Sequence, residues 1–243
     1  YPVKGLSGQL LATAHLSAGA HFPGDRKYAI GAGNEKVGNG IWLKKAYFIQ
    51  LMNHEALAHN DCDFNTDQNQ EEIILSRNGE LLFNANMQSE KGRSTVAAFF
   101  DELLYGRLRG PTKMVCIDGD AFTDTKAPLI SLGGSASFTG FADLTNTKPD
   151  LRRFRLNIIF KTTTPFEEAA LIGKTLAVGD VRLNVISPVG RCAAIDVNPE
   201  TAEREPHYLP LMEKTLGHTD LGIFAKVTRG GTVNKGDEIS VLT

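Results

Sequence analysis

Short runs of β-forming residues, separated by glycine, asparagine, aspartate and proline, recur along most of this chain of 243 residues. The runs are KYAIGAG, AYFIQL, EEIILSR, ELLFNAN, KMVCID, FRLNIIF, VRLNVIS, CAAIDV, IFAKVTRG and EISVL. Many short strands with turn signals between them are typical of barrels and sandwiches. The sequence therefore predicts a protein built mainly from β-strands.

A few stretches carry helical signals instead. STVAAFFDELLYGRL has apolar residues at helical spacing, which predicts an amphipathic helix. In TTTPFEEAALIGKTL, Thr164 is a plausible N-cap with Pro165 at the first helical position and Glu167 closing a capping box. GSASFTGFADLT, with Ser135 or Ser137 as its cap, and HYLPLMEKTL are further candidate helices.

The segment GRLRGPTKM, rich in glycine and basic residues, follows the first of these helices and is the best candidate for a domain boundary. We therefore expect two domains, residues 1–110 and residues 111–243. With 42% hydrophobic residues, the chain has enough apolar content for a substantial core. The expected fold class is α+β and predominantly β.

Composition excludes several classes of function. The 26 Lys and Arg residues nearly balance the 28 Asp and Glu residues, so there is no basic footprint of the kind that nucleic-acid binding needs. No apolar run approaches the roughly 20 residues of a membrane span, and YPVKGLSGQLLATAHL does not have the pattern of a signal sequence. We expect neither a nucleic-acid nor a membrane partner, and a cytoplasmic location.

The three cysteines, Cys62, Cys116 and Cys192, are odd in number and form no CxxC pair. This spacing argues against a disulfide framework or a zinc site. Cys192 follows a run, VRLNVI, that is typical of a buried strand, and it directly follows Arg191. Free cysteine is often a small core residue, but a thiolate beside a cation is also a soft metal ligand. The residues alone leave both interpretations open.

Four short pieces each join a cation to a turn. They are YPVKGL with Lys4, FPGDRKY with Arg26, RRFRLN with Arg155 and Asn157, and GRC with Arg191 and Cys192. A guanidinium suits bidentate contact with phosphate, and a lysine acts as a point charge, so these cations would hold a phosphorylated cofactor if they converged. Taken one at a time, each is equally well explained as a surface cation.

In this order, the pieces resemble the MOSC family, which is named for the C-terminal domain of molybdenum cofactor sulfurases, in its two-domain form. The resemblance runs from YPVKGL and DRKYAI, through FRLNIIF and PFEEAALIGKTLAVGDVRL, to the Arg191-Cys192 pair, DVNPET and LGIFAKVTRGGTVNKGDEISVL. It implies an N-terminal β-barrel-like domain followed by a MOSC β-barrel domain with short peripheral helices.

Members of the family similar to this chain, including the mitochondrial amidoxime-reducing component, bind the molybdenum cofactor through molybdopterin, with a cysteine as the protein ligand to the metal. The resemblance gives the role of metal ligand and catalytic residue to Cys192. It gives cofactor binding to the residues at the matching positions, which are Lys4, Gly5, Arg26, Asp124, Thr125, Arg155, Asn157, Arg191 and Phe224. Gly5 and Phe224 replace a serine and a tyrosine of the amidoxime reducers, which leaves the substrate open.

The resemblance thus implies a molybdenum-dependent oxidoreductase of the amidoxime-reducing type. It would reduce a small N-hydroxylated or otherwise N-oxygenated substrate with electrons from a separate donor protein. Two alternatives keep the site and change its use: a sulfur carrier or transferase with a persulfide on Cys192, and a non-catalytic carrier of the molybdenum cofactor. His207 and His218 flank this half of the chain and are of the residue type that donates protons at neutral pH.

Overall fold

The computed structural model describes residues 1–65, 71–204 and 207–242. Within these ranges the chain forms mostly strands with three α-helices, so the predicted α+β, predominantly β class is confirmed. The strands are β1 (Thr13–Leu16), β2 (Tyr28–Gly31), β3 (Asp61–Asn65), β4 (Glu72–Arg77), β5 (Glu80–Asn86), β6 (Lys113–Cys116), β7 (Ile130–Gly134), β8 (Ile158–Phe160), β9 (Thr175–Val178), β10 (Val181–Gly190), β11 (Asp220–Arg229), β12 (Gly231–Asn234) and β13 (Ile239–Leu242). The helices are α1 (Glu90–Leu103), α2 (Ser135–Thr145) and α3 (Tyr208–Leu216). No helix in the described ranges is both long and apolar enough to cross a bilayer.

The chain divides into two compact units, each made of separate stretches of sequence. Unit 1 contains residues 1–9, 24–126 and 197–204, and unit 2 contains residues 10–23, 127–196 and 205–243. Unit 1 therefore includes residues 197–204 from the C-terminal half of the chain, and unit 2 includes residues 10–23 from the N-terminal half. The domain limits drawn from the sequence, 1–110 and 111–243, stay a prediction.

Unit 1 is built on two small antiparallel sheets and one helix. Strands β2 and β6 pair with each other, and β3, β4 and β5 form a three-stranded meander. Helix α1, predicted from its apolar stripe, contacts β5 and β6 and is capped by Ser89, whose Oγ accepts a hydrogen bond from the Gly92 amide at 2.9 Å. A cluster of buried residues around Phe48, Val115 and Phe122 forms the core beside β2 and β6.

Unit 2 is built on a six-stranded sheet in the order β13-β9-β10-β11-β7-β8, which curls into a half-barrel. Only β7 and β8 are parallel neighbours among these strands. Strands β10 and β11 change register at three places along their length, and such bulges bend a strand pair. The inner face buries Leu176, Leu183 and Ile223 completely, and β10 ends at Gly190, immediately before Arg191 and Cys192.

Two of the predicted strands are wrong. AYFIQL contains a 3-10 helix over Lys45–Tyr47, followed by an isolated bridge from Phe48 to Gly31. CAAIDV contains a 3-10 helix over Ala193–Asp196. Short apolar runs have no periodicity long enough to separate a strand from a tight helical turn.

The predicted helix caps also need correction. The segment after Thr164 forms a 3-10 helix over Glu167–Leu171, with Phe166 rather than Thr164 at the cap position. Glu167 does reach back, but it accepts its hydrogen bond from the Thr163 amide at 2.7 Å. Helix α2 begins at Ser135 without a side-chain cap. Ser137 instead donates its hydroxyl to the buried carboxylate of Glu168 at 2.6 Å, so a tertiary contact replaces the local one.

Candidate functional site

Four charged residues of unit 1, Lys4, Arg26, Lys45 and Asp124, form a group that we call the lysine cluster. The Lys4 side chain is buried, and its Nζ donates to the Phe122 carbonyl at 2.9 Å and to Asp124 Oδ1 at 2.6 Å. The amide of Lys4 donates to the Tyr28 carbonyl at 2.8 Å, which fixes the backbone beside β2. The structure therefore brings together two of the residues that the resemblance assigned to cofactor binding.

Gly5 adopts a conformation that favours glycine. Its φ of 91° lies in the left-handed region, and an added Cβ would lie 3.2 Å from the Ile49 carbonyl oxygen. This is a structural reason for glycine at a position where the amidoxime reducers carry serine. Gly5 directly follows Lys4. A side chain at residue 5 would therefore strain the backbone of the turn that carries Lys4.

Arg26 lies in the same unit with its side chain largely buried. Its guanidinium pairs with Asp25 and lies over the Tyr1 ring, 4.9 Å from the ring centroid. Its φ is 49°, and its carbonyl accepts a hydrogen bond from the Phe122 amide at 2.8 Å. Arg26 is thus tied to the stretch of backbone that leads to Asp124.

Asp124 is the carboxylate that faces the cations of the lysine cluster. Lys45 Nζ lies 3.6 Å from Asp124 Oδ2, opposite the Lys4 contact. Partial burial raises the pKa of the Asp124 carboxyl, but Lys4, Lys45 and Arg26 outweigh this effect and hold its pKa below the usual value of 3.8. Thr125, the next predicted residue, accepts the Thr123 hydroxyl through its carbonyl at 2.7 Å.

We expect Lys4→Met to raise the pKa of the Asp124 carboxyl toward its usual value, because the substitution removes the nearest cation. A lowered folded-state pKa means that the ion pair stabilises the fold above about pH 4 and that this stabilisation is lost as the pH falls through the folded-state pKa. Carbon-13 NMR of the aspartate carboxyls through an acid titration measures the shift. Lys44→Met, at an exposed neighbouring lysine, is the matched control, and an unchanged Asp124 titration in Lys4→Met would contradict the assignment.

In unit 2, Asn157 is fixed by a buried serine. Its Oδ1 accepts from the Ser131 amide at 2.9 Å and from the Ser131 hydroxyl at 2.8 Å, and its own amide donates to the Ser131 carbonyl at 3.0 Å. These bonds hold Asn157 beside β7, one residue before β8. Its Nδ2 has no hydrogen-bond partner among the residues that the structure describes, so this donor is available to a ligand.

Two arginines of unit 2 are positioned by backbone. Arg191 donates through Nη1 to the Phe154 carbonyl at 2.8 Å and through Nε to the Val189 carbonyl at 3.2 Å. Arg155 follows the 3-10 helix Leu151–Phe154 in a left-handed conformation with a φ of 52°. The two carbonyl partners fix the orientation of the Arg191 guanidinium.

Cys192 is a free, partly exposed cysteine between the end of β10 and the 3-10 helix Ala193–Asp196. Its carbonyl accepts the Ile195 amide at 3.1 Å, which starts that helix. The interpretation of Cys192 as a simple core residue fits less well than it does for Cys62, which is 1% exposed. We use the name cysteine cluster for the five residues of unit 2 that the resemblance assigned to the site, which are Arg155, Asn157, Arg191, Cys192 and Phe224.

Phe224, the aromatic member of the cysteine cluster, lies in β11. It pairs with Ser131 on one side and with Ser187 on the other, and it packs partly buried against a core around Phe138 and Phe154. Ser131 therefore adjoins both Phe224 and Asn157. Sequence reasoning missed Ser131 and Lys45, because neither lies in a recognisable motif and their partners lie far away in the chain.

The described residues contain no group of three or more His, Cys, Asp or Glu side chains arranged to hold a metal ion. Cys116 is also free and partly exposed, but it lies in β6 of unit 1, with its amide donating to Asn39 Oδ1 at 3.0 Å.

Residues 131–240 match the sequence model of the MOSC domain. This range contains the whole cysteine cluster and excludes the lysine cluster. Over 92 residues the chain is 47% identical to a molybdenum cofactor sulfurase from Drosophila mojavensis, a match that covers 37% of this chain and 12% of that protein. The chain thus corresponds to a small part of that relative.

Crystal structures of YiiM also resemble the chain. YiiM from Geobacillus stearothermophilus is 18% identical with a TM-score of 0.38, and YiiM from Escherichia coli is 15% identical with a TM-score of 0.36. Each comparison covers 47% of this chain and 54% of the YiiM chain. The family match and the placement of Cys192 within it lead to one conclusion: residues 131–240 of this chain form a MOSC domain.

Proposed function

We propose that this chain binds the molybdenum pterin cofactor and uses it to reduce small N-hydroxylated or otherwise N-oxygenated substrates, with electrons from a separate donor protein. The observation that carries the proposal is the partly exposed, free thiol of Cys192 directly after Arg191, inside a MOSC domain. A neighbouring guanidinium favours the thiolate that a metal needs.

The chemistry of the available groups fits this cofactor. Thiolate is a soft ligand suited to a metal that is also bound by a dithiolene. Asn157 offers a free Nδ2 donor to the edge of the pterin. In the lysine cluster, the three cations Lys4, Arg26 and Lys45 face the carboxylates of Asp25 and Asp124, so the excess charge is positive and suits a phosphate.

Each group has its own task in the proposed reaction. When bound, the cofactor supplies the redox chemistry, and the chain supplies one ligand, orientation and charge. Cys192 would ligate the metal, and Arg191, held by the Phe154 and Val189 carbonyls, lies next to it in the chain. Asn157, held by Ser131, would orient the pterin, and Phe224 would give the site an apolar wall. In unit 2, Arg155 would offer charge to the phosphate group. In unit 1, Lys4 and Arg26 are the candidate phosphate-binding cations, with Asp124 and Thr125 as polar neighbours of Lys4.

The proposal is tested on protein purified from a host that makes molybdopterin. We expect near-equimolar molybdenum by elemental analysis and pterin by fluorescence, and reduction of an N-hydroxylated test substrate by a chemical electron donor. Arg191→Lys is measured beside the wild type, because lysine keeps the positive charge but cannot reproduce the two guanidinium hydrogen bonds to the Phe154 and Val189 carbonyls. Folded protein that contains neither metal nor pterin would contradict the proposal.

A second function is favoured by the sequence of one relative. The chain shares 47% identity over 92 residues with a protein whose name is molybdenum cofactor sulfurase. Sulfur transfer is therefore the alternative: the Cys192 thiolate would take the terminal sulfane sulfur of a donor persulfide, and the donor would leave as a thiolate. Cyanide-labile sulfur on wild-type protein, absent from Cys192→Ser and found without molybdenum, would favour this function over the reductase.

A further inference from the structure

A fully buried carboxylate lies four residues after Cys192. Asp196 ends the 3-10 helix Ala193–Asp196, and its side chain is 1% exposed. Its Oδ1 accepts the Tyr208 amide at 3.0 Å, which caps α3, and its Oδ2 lies 3.2 Å from Nδ1 of His207. The His207 side chain is 75% exposed, so its other nitrogen, Nε2, has access to solvent.

Because Asp196 is buried, its contact with His207 matters for the stability of the carboxylate. A buried carboxylate is costly unless a cation or several hydrogen bonds compensate it. Among the described residues, His207 is the group within ion-pair distance of Asp196 that can carry positive charge. A carboxylate on Nδ1 also fixes the ring orientation and keeps the proton on Nδ1, so that Nε2 gains and loses the exchangeable proton.

A second cation, Arg153, lies on an element packed against this pair. Arg153 is buried on the 3-10 helix Leu151–Phe154, where it donates to the Ile195 carbonyl at 2.9 Å and lies 5.7 Å from the Tyr208 ring centroid. The remaining charged residues on these elements are Asp143, Asp150, Arg152, Glu213 and Lys214. In the described structure, none of them is within ion-pair distance of Asp196 or His207.

The 3-10 helix that ends at Asp196 begins directly after Cys192, whose carbonyl accepts the Ile195 amide at 3.1 Å, so the carboxylate that holds His207 belongs to the same short element as the proposed metal ligand. His218, the other histidine of this half, has no carboxylate partner of this kind in the described structure: its Nδ1 accepts the Asp220 amide at 3.1 Å. The structure therefore distinguishes two histidines that the sequence left equivalent.

We propose that His207, oriented by Asp196, is the proton donor for the substrate that would be reduced at the cofactor held by Cys192. The inference rests on the proposed reductase function. Reduction of an N-hydroxylated substrate takes up two electrons and two protons for each N–O bond that breaks, forms one N–H bond and releases the oxygen as water. The donor protein supplies both electrons. The Nε2–H group of His207 supplies one proton to the leaving oxygen and is recharged from solvent, which also supplies the second proton.

The test compares the wild type with His207→Ala, Asp196→Asn and His218→Ala as loaded enzymes. General acids contribute about 10²-fold or more, so we expect kcat of His207→Ala to fall about 100-fold with unchanged molybdenum content. Added imidazole should restore much of this rate, because the exposed position of His207 leaves room for it. His218→Ala should keep the wild-type rate. Restoration by imidazole separates a proton donor from a residue that merely supports the fold.

A spectroscopic measurement needs no turnover. Nitrogen-15 NMR of the neutral His207 ring should show the Nδ1–H tautomer in the wild type. In Asp196→Asn, Oδ1 still caps α3 while the new amide donates to Nδ1, so the ring should change to the Nε2–H tautomer, as happens when the aspartate of a Ser-His-Asp triad is made asparagine. An Nε2–H tautomer in the wild type would overturn the orientation by Asp196.

The results separate this inference from the function on which it rests. A wild-type enzyme that turns over, together with a His207→Ala variant that matches it, would overturn the inference alone. A loss of rate that imidazole does not restore would also overturn it and make His207 a positioning residue. If the wild type contained neither molybdenum nor activity, the proposed function would fail and the inference with it.

Discussion

Cys192→Ser is expected to abolish stable molybdenum binding. Serine offers a hard hydroxyl in place of a soft thiolate, and this hydroxyl stays protonated at neutral pH. Even residues that only orient a metal ligand change metal affinity by about 10 to 100-fold, so loss of the ligand itself should cost at least about 100-fold. Elemental analysis after dialysis should find little molybdenum in the variant, and reduction of the N-hydroxylated substrate should stop.

Cys116→Ser is the matched control, since Cys116 is also free and partly exposed but lies in unit 1. It should retain wild-type metal and activity. Equal molybdenum content in Cys192→Ser and Cys116→Ser would show that Cys192 is not the ligand.

Gly92→Ala is expected to destabilise the protein by about 3 kcal/mol, the upper part of the usual range for overpacking. An added Cβ would lie 1.9 Å from the Asn86 carbonyl oxygen and 2.7 Å from its carbonyl carbon, and these backbone atoms end β5. The connection from the end of β5 to the start of α1 is short, so the turn has little freedom to move. The strain should open the start of α1 and its Ser89 cap.

The sign of the change in the free energy of unfolding is the test, because helix propensity alone predicts that Gly92→Ala stabilises the protein. In a helix without a close neighbour, glycine to alanine stabilises by up to about 1 kcal/mol. Trp42, the single tryptophan, lies in unit 1 and donates to the Thr123 carbonyl at 3.1 Å, so its fluorescence during urea unfolding reports on this unit. Thr95→Ala, on the exposed face of α1, should stay within about 0.5 kcal/mol of the wild type. A stabilised Gly92→Ala would refute the close packing.

Local sequence patterns predicted the helices and strands that are specified by their own residues. The apolar stripe of α1, the apolar run of β4 and the alternating run of β10 can each be recognised over a few residues, and all three elements are present. By contrast, β1, β3, β7, β9 and β12 were missed. β7 reads ISLGG and is rich in glycine and serine, so only its burial between β8 and β11 makes it a strand.

The candidate site shows the same division. The order of the cation-bearing pieces and the Arg191-Cys192 pair could be recognised in the sequence, because a motif is a local string. The contacts that position these residues could not be recognised in the sequence, because Lys45 contacts Asp124 and Ser131 contacts Asn157 across long stretches of chain.

By itself, then, the sequence determined the predominance of strands, the resemblance to the MOSC family and the cysteine on which the proposed chemistry depends. Tertiary structure alone decided why residue 5 is glycine, which carboxylate faces Lys4, and which of two histidines receives a buried aspartate. The physical reason is the same in each case. Hydrogen bonds, ion pairs and close packing act over a few ångströms in space, and the residues that they join are brought together only when the sheets and turns of each unit have formed.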